Sequence, residues 1–214
     1  MKENLLYKKE HRFFEKMLTI ELSGLTKFLL QKYEEIEKCE MLGITPLYSK
    51  ENDPELFTES KSISTIKWRE YNIFALYHEG LYELYLNIRE LVLKACTYYN
   101  IDFKNEKFYI QGWFNVVEAN IGKLDWHGHG YPGIGFHGYY CVNAEPSITY
   151  YNIFGKKKFD NININNRLII SEIGHEHKMG DWSWKDKRIT VAFDILPLEQ
   201  IKGKEAENHY IPLT

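Results

Sequence analysis

The chain has 214 residues, 27 Lys+Arg against 30 Asp+Glu for a formal net charge of −3, and is 44% hydrophobic and 15% aromatic. That much apolar material suits one good core and excludes a disordered chain, a collagen-like rod and a coiled coil. The near-neutral charge lacks the basic excess that phosphate binding needs, so neither a nucleic-acid partner nor a polybasic membrane anchor is expected.

Residues 1–12 are charged throughout with no apolar h-region, and no later stretch reaches the ~18–20 apolar residues of a membrane span. The three cysteines, Cys39, Cys96 and Cys141, are far apart with no Cys-x-x-Cys spacing. They read as small buried hydrophobes in a reducing compartment, and a cytoplasmic location follows as the expectation.

Over 13–38, apolar residues at Phe13, Phe14, Met17, Leu18, Leu22, Leu25, Phe28, Leu29 and Ile36 recur mostly three or four apart, which predicts a helix with Gly24 as a candidate kink. The stretch 41–66 holds Pro46 and Pro54 without a sustained period and reads as a long surface connection, a candidate cover for a pocket. Over 71–99 the set Phe74, Tyr77, Leu81, Leu84, Tyr85, Ile88, Leu91, Val92 and Ala95 predicts a second helix, stopped at Asn100.

After Asp102 the texture changes to short Tyr-, Ile-, Val-, Phe- and Trp-rich runs between Gly, Asn, Asp and Pro, the pattern of strands and turns. The predicted strands are 107–117, 138–142, 147–152, 168–173 and 188–195, with the polar, Asn-rich 155–166 as a connection. Helices first and strands later argue against alternating βαβ units. The expected class is α+β in a single domain, 1–214, with a mainly helical part over 1–105, a strand-rich core over 106–200 and a tail over 201–214. In the last strand Ile189, Val191 and Phe193 alternate with Arg188, Thr190 and Ala192, giving one bulky apolar face and one face that carries a cation beside small residues.

His127-Gly128-His129 is the most informative local feature. In an extended segment residues two apart share a face, so both imidazoles can converge on one metal ion. His175-Glu176-His177 repeats the spacing, and two neighbouring strands would bring the pairs together. His137, after a Gly-rich stretch, is a group supporting the metal ligands, a substrate-facing group, or a turn residue. His11, His78 and His209 read as ordinary. An inward Arg188 requires an anion, either an internal carboxylate or a ligand's, because a buried cation without one is costly. A guanidinium fork matches a carboxylate bidentately.

The series WFNVVEANIGKLDWHGHGYPGIGFHGYYCVN, SITYYNI, RLIISEIGHEHKMGDW and KRITVAFDI resembles the Fe(II)/2-oxoglutarate-dependent oxygenase superfamily, in particular prolyl-hydroxylase-like oxygenases common in phages and marine bacteria. That group shows a Trp-x-Asn strand, a His-x-His-Pro-like stretch, a Ser-Gly-x-Tyr-Tyr strand, a distal His before a hairpin, and an Arg-x-Ser-x-x-Phe-Asn strand. The likeness spans 111–197.

It implies a double-stranded β-helix, a cupin-like jelly-roll barrel, with the N-terminal helices packed on it. It implies iron ligands at His127, His129 and His177, with His177 preferred to His175 on register alone. Arg188 would bind the far carboxylate of 2-oxoglutarate, and Asn115 and Tyr140 would donate to its oxygens. The cofactors are then Fe(II), 2-oxoglutarate and O2. The reaction is oxidation of a substrate C–H, by default hydroxylation, with release of succinate and CO2. The substrate is a small molecule or a peptide, homo-oligomers fit the aromatic content, and a phage-encoded chain would work in the host cytoplasm.

Most of the superfamily has His-x-Asp or His-x-Glu where this chain has His127-x-His129. Three readings stay open: His129 is a ligand, Asp125 supplies a carboxylate, or the iron has two protein ligands, as in halogenating relatives. A cupin-like metal-binding barrel without oxygenase turnover is the rival of another class. It has no need of Arg188 on the inner face, and the Glu that characterises cupins is absent, its positions being Gly133 and Ile134. A degenerate barrel serving as a phage structural module is the third possibility.

Overall fold

The computed structural model describes residues 12–41, 62–64, 72–118, 126–129, 133–153, 157–182, 185–203 and 209–213. Its elements in chain order are β1 (Phe14–Met17), α1 (Leu22–Met41), β2 (Ser62–Ser64), α2 (Glu79–Tyr99), α3 (Phe103–Glu106), β3 (Phe108–Val117), β4 (Phe136–Asn143), β5 (Ser147–Ile153), β6 (Lys157–Asn163), β7 (Arg167–Glu172), β8 (Glu176–Met179), β9 (Arg188–Pro197), α4 (Leu198–Ile201) and β10 (Ile211–Pro212). The strands form two sheets with antiparallel pairing. The larger runs β1-β7-β4-β9-β3-β10 with β2 also on β3, and the smaller runs β6-β5-β8.

Helix α2 forms because Leu81, Leu84, Ile88, Leu91, Val92 and Ala95 make one buried stripe. His78 caps its start by accepting the Gly80 N–H at 3.1 Å. Asn100 ends it in the left-handed region at φ 58°, its N–H returning to the Cys96 and Thr97 carbonyls. This stripe and Leu25 and Leu29 of α1 pack on the outer face of the larger sheet against Phe114, Tyr140, Val191, Phe193 and Ile195. The inner face carries Trp113, Tyr139, Cys141, Ile169 and Ala192, which meet Tyr151 of the smaller sheet. Alternation in β9 thus divides its side chains between the helix-facing core and the space between the sheets.

Several expected elements are corrected. The helix expected from residue 13 begins only at Leu22; residues before it form β1, paired Phe14↔Ile170 through Met17↔Arg167. The early apolar residues fit either period, and the free edge of β7 decides for a strand. Glu21 then accepts the Ser23 N–H at 2.8 Å and the Gly24 N–H at 2.6 Å, so Gly24 sits in the first turn and does not kink the helix. The second helix starts at Glu79. Before it lies a 3-10 turn, Ile73–Ala75, fixed by buried Asn72, which accepts the Phe74 and Gly112 N–H groups at 3.1 Å each and donates to the Ile110 carbonyl at 2.9 Å.

The polar connection expected over 155–166 contains a strand, β6. Asn161 and Asn163 point between the sheets, 2% and 0% exposed, while Ile162 is 63% exposed. Polarity marks the interior of this strand because the inter-sheet space is itself polar. The Glu176–Met179 strand has no counterpart among the predicted ones. Of the 41–66 connection, residues 42–61 and 65–66 lie outside the described residues; 62–64 add a short strand to β3. Gly138 has no substitute: a Cβ there would lie 2.5 Å from the Ile169 carbonyl oxygen of the neighbouring strand.

Cys96 and Cys141 are free and buried. Burial pushes the Cys96 thiol up to about 12, and pushes Cys141 up to about 11 against the opposing charge of Arg188. A Cys39→Ser variant is therefore expected to show no rapid thiol labelling by DTNB at pH 8 while folded. Both remaining thiols should react only on unfolding, at least about a hundredfold faster than in the native state. Prompt native labelling would contradict the packing around these residues.

Candidate metal and anion site

The short segment 126–129 lies beside β8 through one pair of backbone bonds: the His127 N–H donates to the His177 carbonyl at 3.0 Å, and the His177 N–H to the His127 carbonyl at 2.8 Å. Residues opposite one another in such a pair share a face, and His129, two residues on, shares it too. One ring nitrogen from each of His127, His129 and His177 lies within 4.8 Å of the others. His127 and His177 have ring centroids 4.3 Å apart, and the His129 and His177 rings are 5.4 Å apart and parallel to within 2°. His129 Nε2 and His177 Nδ1 are buried without a hydrogen-bond partner. Burial, followed by the neighbouring charges of His137, His127 and His129, holds His177 well below the usual imidazole range, so it is neutral and able to donate a lone pair.

His175 is placed elsewhere. Its fully buried ring lies 5.9 Å from Phe13, with Nε2 3.3 Å from a Glu172 oxygen. Glu172 also accepts a hydrogen bond from the Tyr99 hydroxyl, which ties the turn before β8 to helix α2. Asp125 lies outside the described residues.

Behind the trio sit two groups of which sequence reasoning placed only one. His137, on β4, stacks on His129 with centroids 3.9 Å apart. Asp194, on β9, is 4% exposed and accepts from His129 Nδ1 at 2.9 Å and His137 Nδ1 at 2.8 Å. Burial would raise the Asp194 carboxyl, but the two imidazoles hold it below the usual carboxylate range. Burial, aided by His129, lowers His137 to about 4. Asp194 was legible: the alternation Arg188, Thr190, Ala192 reaches it one step further on. Trp113 closes the side of the cluster, its ring 5.6 Å from His129.

Arg188 opens the same inner stripe of β9 that Asp194 ends. The register steps between them: His137↔Asp194, Tyr139↔Ala192 and Cys141↔Thr190 on β4, with Trp113↔Ala192, Asn115↔Thr190 and Val117↔Arg188 on β3. Arg188 is 5% exposed, and its Nε donates to Ser147 Oγ at 3.1 Å. Among the described residues no carboxylate lies within ion-pair distance of it, so the internal-pair reading finds no support there. Burial lowers its proton affinity, opposed by Cys141 and Tyr139.

Around it runs a neutral polar network. Asn163 donates to Ser147 Oγ at 2.8 Å and Thr149 Oγ1 at 3.1 Å, and accepts from the Tyr139 hydroxyl at 2.8 Å. No sequence signal pointed to Ser147, Asn161 or Asn163, because these contacts form only between the two sheets.

Asn115 stands on the face of β3 that carries Trp113, opposite Thr190. Tyr140 is a correction. Its side chain belongs to the helix-facing core and its hydroxyl donates to Asn166, so it points away from Arg188. Strand parity gives the inner position to Tyr139.

No family model matches the chain, and no curated protein matches it. Among solved structures, a Pseudomonas putida prolyl-4-hydroxylase superposes with a TM-score of 0.56 at 9% identity over 89% of this chain and 95% of that one. SnoK, a non-heme alpha-ketoglutarate-dependent carbocyclase from nogalamycin biosynthesis, superposes with a TM-score of 0.56 at 10% identity over 92% and 84%. An oxidoreductase of the 2OG-Fe(II) oxygenase family from Burkholderia pseudomallei aligns over 42% of this chain and less than half of its own, 45%, at 10% identity and a TM-score of 0.37. The chain has the mixed α/β fold with facing antiparallel sheets of the first two. No described helix is long and apolar enough to cross a membrane.

Proposed function

We propose that the protein is an Fe(II)- and 2-oxoglutarate-dependent oxygenase, an oxidoreductase built on a double-stranded β-helix, with hydroxylation of an unidentified substrate as its reaction. The observation that carries this reading is the pairing, between the two sheets, of a three-histidine cluster, His177 buried and His127 and His129 partly buried, with a buried arginine that has no carboxylate among the described residues. A metal ion accounts for the orphaned His129 Nε2 and His177 Nδ1. A dicarboxylate accounts for Arg188.

His127, His129 and His177 would hold the iron. A three-histidine site is favoured over a two-histidine, halogenase-like one because His129 Nε2 is buried without a partner and a ring nitrogen of His129 lies within 4.8 Å of those of His127 and His177. Bound together, iron and 2-oxoglutarate supply an oxidant from O2, with succinate and CO2 released.

The chain's residues do the rest. Arg188, oriented by Ser147, would receive the carboxylate far from the metal and so set the direction in which 2-oxoglutarate enters. Trp113, Tyr139 and Tyr151, packed together between the sheets, would exclude water from the space between. Asn115 stands beside that path and would bind a co-substrate oxygen. The neighbours with this fold are a prolyl-4-hydroxylase and a carbocyclase, so the architecture accommodates different substrates, and a peptide or a small molecule suits it. Arg188 separates this reading from a cupin-like barrel without turnover, which would place no cation there.

The test is anaerobic addition of Fe(II) and then 2-oxoglutarate to metal-free protein, following the weak visible charge-transfer band. A band that needs both additions is the expected result. Metal binding with no response to 2-oxoglutarate would transfer the protein to the cupin-like class, and absence of metal binding would dispose of both readings.

A further inference from the structure

Among the described residues, the group His127, His129 and His177 includes no carboxylate that would offset the charge of a divalent ion. A carboxylate is nevertheless present, one layer further out. Each oxygen of Asp194 is committed, Oδ2 to His129 and Oδ1 to His137, while the His137 ring lies on the His129 ring at 3.9 Å and 18°.

An ionised carboxylate only accepts, so both Nδ1 atoms must carry the hydrogen. The Nε2 of His129 is then left with a lone pair; it is buried without a partner, and one ring nitrogen of His129 lies within 4.8 Å of a ring nitrogen of His127 and of His177. Turning the ring over would break the 2.9 Å bond.

We infer that Asp194 is the positioning carboxylate of the metal site. It holds His129 as the Nδ1–H tautomer aimed at the ion, and supplies from outside the coordination sphere the negative charge that a carboxylate ligand would give; His137 braces it. This rests on the reading of the histidine trio as a metal site. The charges support it: a divalent ion and Arg188 carry three positive charges, which 2-oxoglutarate and Asp194 match. His129, His137 and Asp194 also bring ligand atoms within 4.8 Å of one another, but their 2.8 and 2.9 Å separations are those of hydrogen bonds already made.

The experiment is Co(II) titration of metal-free wild type, Asp194→Asn and His137→Phe, reading stoichiometry, affinity and the visible d–d spectrum at saturation. Wild type is expected to bind one ion. Asp194→Asn should bind it about 10–100-fold more weakly, as loss of an outer carboxylate partner typically does, with a shifted spectrum, which a purely structural role would not produce. His137→Phe keeps the stacked ring and removes one hydrogen bond from Asp194; it should weaken binding about three- to tenfold, and it serves as the second variant if Asp194→Asn does not fold.

Unchanged affinity and spectrum in folded variants would overturn the inference while leaving the metal site standing. Two ions per wild-type chain, falling to one in Asp194→Asn, would overturn it by making Asp194 a ligand. Absence of cobalt binding by wild type would instead count against the proposed function.

Discussion

Arg188→Met is expected to abolish the 2-oxoglutarate-dependent absorption band of the iron-loaded protein and, at the same time, to make the metal-free protein more stable. Both effects follow from one fact: the guanidinium is 5% exposed with a single side-chain hydrogen bond, to Ser147, and no carboxylate partner among the described residues. Such a cation has lost its hydration without an ion pair in return, and replacement of buried charge by an apolar side chain of similar length is commonly neutral or stabilising.

A gain of about 1–2 kcal/mol is expected, a rise of a few degrees in melting temperature for a chain of this size. The anion site disappears with the charge, so affinity for 2-oxoglutarate should fall by at least about a hundredfold, the loss of one charge-assisted bidentate contact. Thermal melts of the apo-protein and the anaerobic titration measure the two. A variant that melts lower and still gives the band would refute the assignment of Arg188. The opposed signs are what a binding residue, as distinct from a structural one, should show.

The second large effect separates two histidines that are neighbours in sequence. His177→Ala should lose Fe(II) or Co(II) affinity by more than about a hundredfold, beyond the range for groups outside the coordination sphere. His175→Ala should keep the metal and lose stability instead, because His175 is buried beside Phe13 and Glu172, just before β8. Chelator competition for affinity and urea unfolding for stability would show an exchange of roles if the placement were wrong.

The same pair of variants carries a pH signature in the metal-free state. Burial and neighbouring charges depress the folded-state pKa of His177, whereas the unfolded chain takes up the proton near about pH 6.5. Unfolding therefore binds a proton below that pH. His177's contribution to stability is fully present above it and is lost as pH falls toward the depressed folded value. Wild-type apo-protein should weaken on acidification below about pH 6.5, and His177→Ala should weaken less steeply; parallel curves would contradict the burial of that ring.

Residue periodicity alone determined much of this. The stripe of α2, its stop at Asn100, the division of β9 into a helix-facing and an inner face, and the shared face of His127 and His129 are all consequences of the 3.6- and 2-residue repeats, which act over a few neighbouring residues. What crosses the fold was not contained in any local pattern. Phe14 and Met17 fit a helical spacing and join a strand only because β7 offers an edge. Asn161 and Asn163 look like loop residues until Tyr139, Ser147 and Thr149 arrive from other strands to satisfy them.

The choice of Tyr139 over Tyr140 turned on register: a shift of one residue exchanges the faces of a strand, and only pairing with β7 and β9 fixes it. His175 and His177 have the same parity, and what separates them is that His177 pairs with His127 in β8 while His175 lies before the strand, against Phe13 and Glu172. Asp194 lies between these cases. Its face was readable from Arg188, Thr190 and Ala192, but its partners, His129 and His137, are far away in the chain and were brought to it by the closing of the sheets.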